Sequence, residues 1–181
     1  MGAASEFAFE RIDEFDLTPE RDAELAALIA EAMPPDYGGR SYYQNRHHRR
    51  YVARGGGRAV AHLAVALRAV RLGDGVHTVG GVAEVCTLPS HRRRGLATRL
   101  LALAAGDARA AGLPFLILFG TEPIYEAAGY ERKPNDVRRV KMTNIETGIT
   151  REGPIGALKV HTIGTVAWDD EALLDLCGWP F

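Results

Sequence analysis

The sequence predicts an α/β protein built around one sheet, and three observations carry that expectation. Residues 58–72 and 76–88 are long, apolar-rich stretches separated by Gly73-Asp74-Gly75, the pattern of an antiparallel hairpin. Leu96 to Ala111 repeats apolar residues at helical spacing (Leu100, Leu103, Ala104) and stops at Gly112, with Pro114 beyond. Phe115-Leu116-Ile117-Leu118-Phe119 is a continuous apolar run of strand length, as expected of a strand covered on both faces. Strand, crossover helix and strand then form a right-handed βαβ unit in a sheet that also holds a hairpin.

The remaining elements follow in chain order. Phe7 to Phe15 alternates and reads as a first strand. Thr18, Pro19 and Glu20 suit the N-cap and first two positions of a helix, and Leu25, Leu28, Ile29 and Ala32 give it an apolar stripe. Pro34-Pro35 ends it. Ser41 to Arg54 reads as a second, arginine-rich helix. After the buried strand, Pro123 to Gly129 reads as a short helix, Val137 to Met142 and Ala157 to Ile163 as late strands, and Asp170 to Cys177 as a closing helical turn. No internal repeat or low-complexity segment is present.

With 181 residues, 46% apolar and 25% charged, the chain suits a single domain over residues 1–181. No apolar run reaches the roughly 18 residues of a membrane span, and the acidic stretch Met1 to Glu10 has no secretory character, so the expectation is a cytoplasmic protein. Cys86 and Cys177 are too few for a disulfide framework. Neither lies at metal-ligand spacing, and the adjacent His47 and His48 would not share a helix face, so no metal is expected. The net charge of −1 lacks the basic excess of nucleic-acid binders. Its distribution is uneven: residues 1–36 hold ten acids, and residues 40–54 hold five arginines and no acid. Arginine far outnumbers lysine, 19 to three, which suits a GC-rich bacterial genome.

The most informative stretch is Pro89-Ser90-His91-Arg92-Arg93-Arg94-Gly95-Leu96-Ala97-Thr98, between the second hairpin strand and the helix. The first turn of a helix has N–H groups without internal partners, and its dipole end is positive, so a strand–helix turn of this kind suits an anion. Gly95 lets the backbone approach closely, and the arginines offer forked donors suited to phosphate oxygens. No Gly-x-x-x-x-Gly-Lys-[Ser/Thr] run is present, so this is not a P-loop.

Arg92-x-x-Gly95-x-Ala97 resembles the coenzyme A pyrophosphate motif, Arg/Gln-x-x-Gly-x-Gly/Ala, of the GNAT superfamily of N-acetyltransferases. Ile124-Tyr125-Glu126-Ala127-Ala128-Gly129-Tyr130 resembles the same family's Leu/Ile-Tyr-Glu-x-x-Gly-Phe/Tyr signature, about 30 residues on. The element order also resembles that family over most of the chain. Within it, Val60-Ala61-His62-Leu63-Ala64-Val65 with Arg68 is similar to the hairpin of aminoglycoside 2′-N-acetyltransferases. Thr87 to Gly95, with Glu122 to Tyr125, is similar to the N-terminal domain of the enhanced-intracellular-survival acetyltransferases.

The resemblance implies a central mixed, mostly antiparallel sheet with a splayed parallel strand pair, flanked by helices. It implies acetyl-CoA as co-substrate, held by Val85, Cys86 and Thr87 on the splayed strand and by Arg92, Arg93, Arg94, Gly95, Leu96, Ala97 and Thr98 in the pyrophosphate turn. It places Tyr125 beside the coenzyme sulfur, as the acid that protonates the leaving thiolate. In the aminoglycoside enzymes a Glu stands where this chain has Ala83, and a β-bulge would bring Glu84 into the equivalent direction. The aromatic-ended relatives bring their C-termini into the acceptor site, which makes the carboxylate of Phe181 the other candidate base. A primary amine with pKa ~10.4 is neutral only about once in a thousand near pH 7, so a base is worth roughly 4 to 5 kcal/mol.

The expected activity is transfer of acetyl from acetyl-CoA to a primary amine of a small molecule by direct attack, with no metal and no membrane. Three other readings stand beside it: a longer-chain N-acyltransferase of the nodulation type, a non-catalytic acetyl-CoA-binding module, and an RNA- or protein-directed acetyltransferase using Arg40 to Arg54. The acceptor and the oligomeric state, a homodimer among the options, are left open.

Overall fold

A computed structural model describes residues 6–33, 37–143 and 146–181. Its strands are β1 (Phe7–Asp13), β2 (Arg49–Gly55), β3 (Arg58–Leu72), β4 (Gly75–Thr87), β5 (Phe115–Phe119), β6 (Glu131–Arg132), β7 (Val137–Thr143), β8 (Glu146–Arg151), β9 (Leu158–Thr162) and β10 (Leu174–Asp175). The helices are α1 (Pro19–Ala32), α2 (Leu96–Ala110) and α3 (Ile124–Ala127). One mixed sheet runs β6-β9-β5-β4-β3-β10-β7-β8, while β2 pairs the first half of β3 and β1 pairs β2. Two pairings are parallel, β4 with β5 and β7 with β10, and the rest are antiparallel.

The hairpin, the crossover helix and the buried strand lie where the sequence predicts. Helix α1 starts as expected: Thr18 Oγ1 accepts the Arg21 N–H, and Pro19 occupies the first turn. The proline pair expected to end it lies outside the described residues. α1 and α2 bury Leu25, Ile29, Leu100 and Ala104 on one face of the sheet, against Leu63, Val82 and Leu116. On the other face Val70, Phe115, Ile117 and Val160 are covered by the chain after β9, through Trp168, Leu174, Leu176 and Phe181.

Two expectations fail. Ser41 to Arg54 is no helix: residues 41–48 are irregular, and β2 follows. Helix propensity loses to burial here, because Tyr51, Val52 and Ala53 are consecutive and all buried between β1 and β3, which only a doubly covered strand allows. Asp170 to Cys177 is likewise no helical turn. Leu174 and Leu176 are both fully buried at a period of two, and β10 bridges β3 to β7.

The uneven charge distribution is explained by β2. Its arginines meet the acids of the N-terminal segment: Arg49 pairs Asp13, Arg54 pairs Glu10 and Glu24, and Arg46 in the preceding loop pairs Glu14 and Asp22. Arg50 is fully buried and gripped by both oxygens of Glu14, at 2.9 and 3.1 Å, with Ser41 O at 2.8 Å. Removing one partner of such a pair costs about 3–5 kcal/mol, whereas an exposed pair such as Arg58–Glu31 is worth under about 1 kcal/mol. Arg46, Arg49, Arg50 and Arg54 are thus engaged within the molecule.

His62 on β3 is fully buried, with Nδ1 3.0 Å from the Glu84 carbonyl oxygen, which can only accept. Nδ1 therefore carries the ring proton. Burial, then the Arg50 charge, push this imidazole down to about 3, so it is neutral in the folded protein. The folded-state value lies below the unfolded one, so this contribution is complete above pH 6.5 and is lost as pH falls toward 3, at up to about 1.4 kcal/mol per unit. His62→Asn keeps a donor near that carbonyl and cannot gain the charge. Between pH 6.5 and 4 the melting temperature of the wild type should fall more steeply than that of H62N; parallel slopes would contradict a neutral buried imidazole.

Candidate active site

β4 and β5 lie side by side only at Gly80–Leu116 and Gly81–Ile117, after which they part. β5 stays paired with β9 over all five residues, so it is β4 that leaves. In its other pairing β4 is bulged: His62 faces Cys86 and Ala64 faces Ala83, which leaves Glu84 and Val85 opposite Leu63. Glu84 takes φ +46°, a left-handed conformation uncommon for a residue with a side chain. A bulged strand bends and twists more strongly, which suits the parting that follows. This is the irregularity that the parity of Glu84 requires.

The parted strands open a cleft of about 590 Å³. Val85, Cys86 and Thr87 form one wall, Arg92, Arg93, Gly95, Leu96, Ala97 and Thr98 one end, and Glu122, Pro123, Ile124 and Tyr125 the opposite wall. Ala32 and Met33, at the C-terminal end of α1, also line it, a contribution that sequence reasoning missed. At the turn, Gly95 has φ +74° and caps α2 without a side-chain hydrogen bond. The first helical bond is Arg99 N–H to Gly95 O at 3.0 Å, so the N–H groups of Leu96, Ala97 and Thr98 have no helical partner. With Arg92 and Arg93 alongside, this end of the cleft is positive.

The three arginines divide their work. Arg92 braces the turn, donating to Thr87 O at 3.3 Å and Ala32 O at 3.1 Å. Arg93 lines the cleft with a left-handed backbone, φ +62°. Arg94 does not line it: its guanidinium pairs with Glu6 at 2.5 Å and lies over the Phe7 ring.

Tyr125 is buried at the first turn of α3, packed edge-on to Tyr130 and so close to Gly120 that a side chain there would collide with its ring. Burial, then Glu122 and Cys86, raise its phenol above the usual value, so it stays protonated at neutral pH. The Cys86 thiol is pushed up to about 12 by burial and then by the Glu84 charge. It is no thiolate, and so no ready nucleophile.

Glu84 and Phe181 lie outside the cleft wall, beyond the point where the strands part. The Glu84 carboxylate is buried; Oε1 accepts the Tyr43 N–H at 3.1 Å and Oε2 touches His47 Nε2. Neither Tyr43 nor His47 was singled out for this site, because both sit in the irregular 41–48 segment that the sequence draws as a helix. The ring of Phe181 lies in the space that a side chain at Gly81 would fill, and it stacks on Phe119. Arg68 holds this tail through Leu176 O (2.8 Å) and Trp179 O, with its guanidinium over the rings of Trp179 and Phe181. Trp179 Nε1 donates to Asn45 Oδ1 at 2.6 Å, tying the tail to the 41–48 segment.

The geometry agrees with known proteins at the level of fold. The GNAT N-acetyltransferase YhbS from Escherichia coli, solved in complex with CoA, superposes with a TM-score of 0.70 at 16% identity, over 97% of this chain and 92% of that one. A GNAT acetyltransferase from Brucella melitensis in complex with acetyl-CoA gives 0.58 at 16% identity, over 92% and 95%. Eis1 from Mycobacterium abscessus gives 0.59 at 16% identity over 72% of this chain, which spans only about a third of Eis1. No curated protein matches the chain. The family model described as an acetyltransferase (GNAT) domain matches residues 19–132, which hold α1, the bulged strand, the pyrophosphate turn and Tyr125. That match spans nearly two thirds of the chain and contains every wall of the cleft, and by it the chain belongs to the GNAT acetyltransferases.

Proposed function

We propose that the protein moves the acetyl group of acetyl-CoA to a primary amine of a small molecule by direct attack. The observation that carries this reading is a single cleft with an anion cradle at one end and a protonated phenol on the facing wall. The unpartnered N–H groups of Leu96, Ala97 and Thr98, with Arg93, would hold the pyrophosphate. Along β4, Val85 to Thr87 have no β5 partner, and the backbone groups on that side would bond the amides of the pantetheine arm. Tyr125 would hand a proton to the departing thiolate, which its raised pKa permits at neutral pH. A covalent route through Cys86 is disfavoured by its un-ionised thiol.

Glu84 is the proposed proton acceptor for the amine. Its left-handed bulge turns it from the parity of its strand, and its Oε1 accepts the Tyr43 N–H. The carboxylate of Phe181 is the second candidate, because its ring lies beside the point where β4 and β5 part. A small acceptor is supported by the resemblance to groups that act on small polyamines, and by the Trp179–Phe181 tail packed at the crotch of the strands.

Three outcomes test this. Gly95→Glu places bulk and negative charge at the cradle, on a backbone where a side chain costs about 1–2 kcal/mol. Acetyl-CoA binding by calorimetry should vanish, and an unchanged affinity would contradict the cradle. Tyr125→Phe keeps the ring packing and removes the hydroxyl. Thiol release with a responsive amine should slow about 10²–10⁴-fold in kcat while coenzyme affinity holds, and a rate within threefold of wild type would remove Tyr125 from the chemistry. Glu84→Gln should lower kcat/KM at least tenfold and abolish the acidic limb of the pH–rate profile. If instead one Gly added after Phe181, moving the terminal carboxylate by ~3.5 Å, does this and Glu84→Gln does not, the base is the terminus.

A further inference from the structure

We propose that the Phe181 ring sets the length of the acyl group that the cleft accepts. It closes one face of the gap between β4 and β5 where the strands part, so that a short acyl group fits and a long one does not. The inference rests on the proposed placing of acetyl-CoA, with its pyrophosphate at residues 93–98 and its arm along Val85 to Thr87.

That placing fixes a direction. The cradle lies at one end of the cleft, and the wall runs from Thr87 back through Cys86 to Val85. Further back along β4 come the bulge and then Gly81, the residue beyond which the pairing with β5 is lost. An arm that enters from the cradle therefore carries its thioester toward the parting point, and each carbon added to the acyl group extends it the same way. What fills that end decides how long the group can be.

Two side chains fill it, one on each face of the sheet. A side chain at Gly80 would come within 2.5 Å of Leu116 Cδ2, and one at Gly81 would collide with the Phe181 ring. The two glycines thus leave the room that Leu116 takes on the helix face and Phe181 on the opposite face. The Phe181 ring also stacks on Phe119, with centroids 6.4 Å apart and planes at 21°. Phe119 lies two residues past Ile117, where the pairing with β4 ends. The ring therefore reaches from one strand to the other across the start of the gap. Leu116 is fully buried in β5 and belongs to the core. Phe181 is only half-buried and comes from outside the sheet, so it can be removed at smaller cost to the core.

The tail fixes where the ring lies. Leu176 N–H donates to Arg138 O at 3.0 Å, and Val140 N–H donates to Gly178 O at 2.7 Å. Arg68 donates to Leu176 O and Trp179 O, and its guanidinium carbon stands 5.0 Å from the centre of the Phe181 ring, close enough for a cation to be drawn to an aromatic face. A side chain at Gly178 would strike Arg68 Nη2, so the tail passes hard against that arginine. A ring restrained on this many sides gives way poorly, and methylenes forced into filled space strain their surroundings.

The test is the calorimetric affinity of acetyl-, butyryl-, hexanoyl- and octanoyl-CoA for the wild type, F181A and F119A. It needs neither an amine nor a proton acceptor, so it is independent of which carboxylate is the base. Each methylene that leaves water for an apolar site is worth about fourfold in affinity. In the wild type the affinity should fall as the chain lengthens from acetyl to octanoyl. In F181A it should rise from acetyl- to hexanoyl-CoA, and the ratio of those two affinities should exceed the wild-type ratio by about tenfold or more. A ring that only seals the core would lower the melting temperature and leave the ratio as it was. An unchanged ratio in folded F181A, or a wild type that binds octanoyl-CoA more tightly than acetyl-CoA, therefore overturns the inference. If F181A does not fold, F119A opens the same gap from β5 and decides by the same ratio. A wild type that binds none of the four overturns the placing of the coenzyme, and the inference with it.

Discussion

The parting of β4 from β5 after two residue pairs is the constraint on which the site depends. A parallel pair continued to the end of both strands would bury its backbone groups in each other and leave no cleft. Because β4 is bulged at Glu84 and β5 remains tied to β9, the separation falls on one strand, beyond Gly81 and Ile117. The same departure delivers Val85 to Thr87 to the cleft wall and leads the chain into the turn before α2. It also puts Glu84 behind that wall, where the 41–48 segment can close on its carboxylate.

That segment is held by the distribution of charge along the chain. The acids before residue 37 and the arginines after residue 39 look like two solvated patches in the sequence, and the structure turns them into a ladder across β1, α1 and β2. Its deepest rung is Arg50 with Glu14, fully desolvated on the arginine side. With β2 registered by these pairs, residues 41–48 must span from α1 to β2 along the path that brings Tyr43 and His47 to Glu84. Fold stability and the packing of Tyr43 and His47 against Glu84 are in this sense coupled.

Much of this was legible without coordinates, where local rules govern. The hairpin, the crossover helix, the buried strand and the start of α1 follow from turn residues, periodicity and capping. The cradle and Tyr125 follow from short contiguous motifs. Arginine favours helices locally, so residues 41–54 read as a helix in isolation, while the burial that makes residues 49–55 a strand comes from β1 and β3. Leu174 and Leu176 carry a pattern too short to distinguish a two-residue bridge from a turn, and their burial too comes from distant strands. The bulge at Glu84 has no glycine to announce it. Arg94 kept its place in the motif, yet its side chain answers to Glu6, far away in sequence. Partners brought together only by tertiary structure, such as His47 with Glu84 or Trp179 with Asn45, leave no local signal.

The measurement that bears most directly on the central claim is amide hydrogen exchange with and without acetyl-CoA. If the parted strands and the turn before α2 form the coenzyme site, saturating acetyl-CoA should protect the amides of residues 93–98 together with those of 85–87, and leave β7 and β8 unchanged. Binding with protection elsewhere, or with these two segments exchanging as before, would contradict the account.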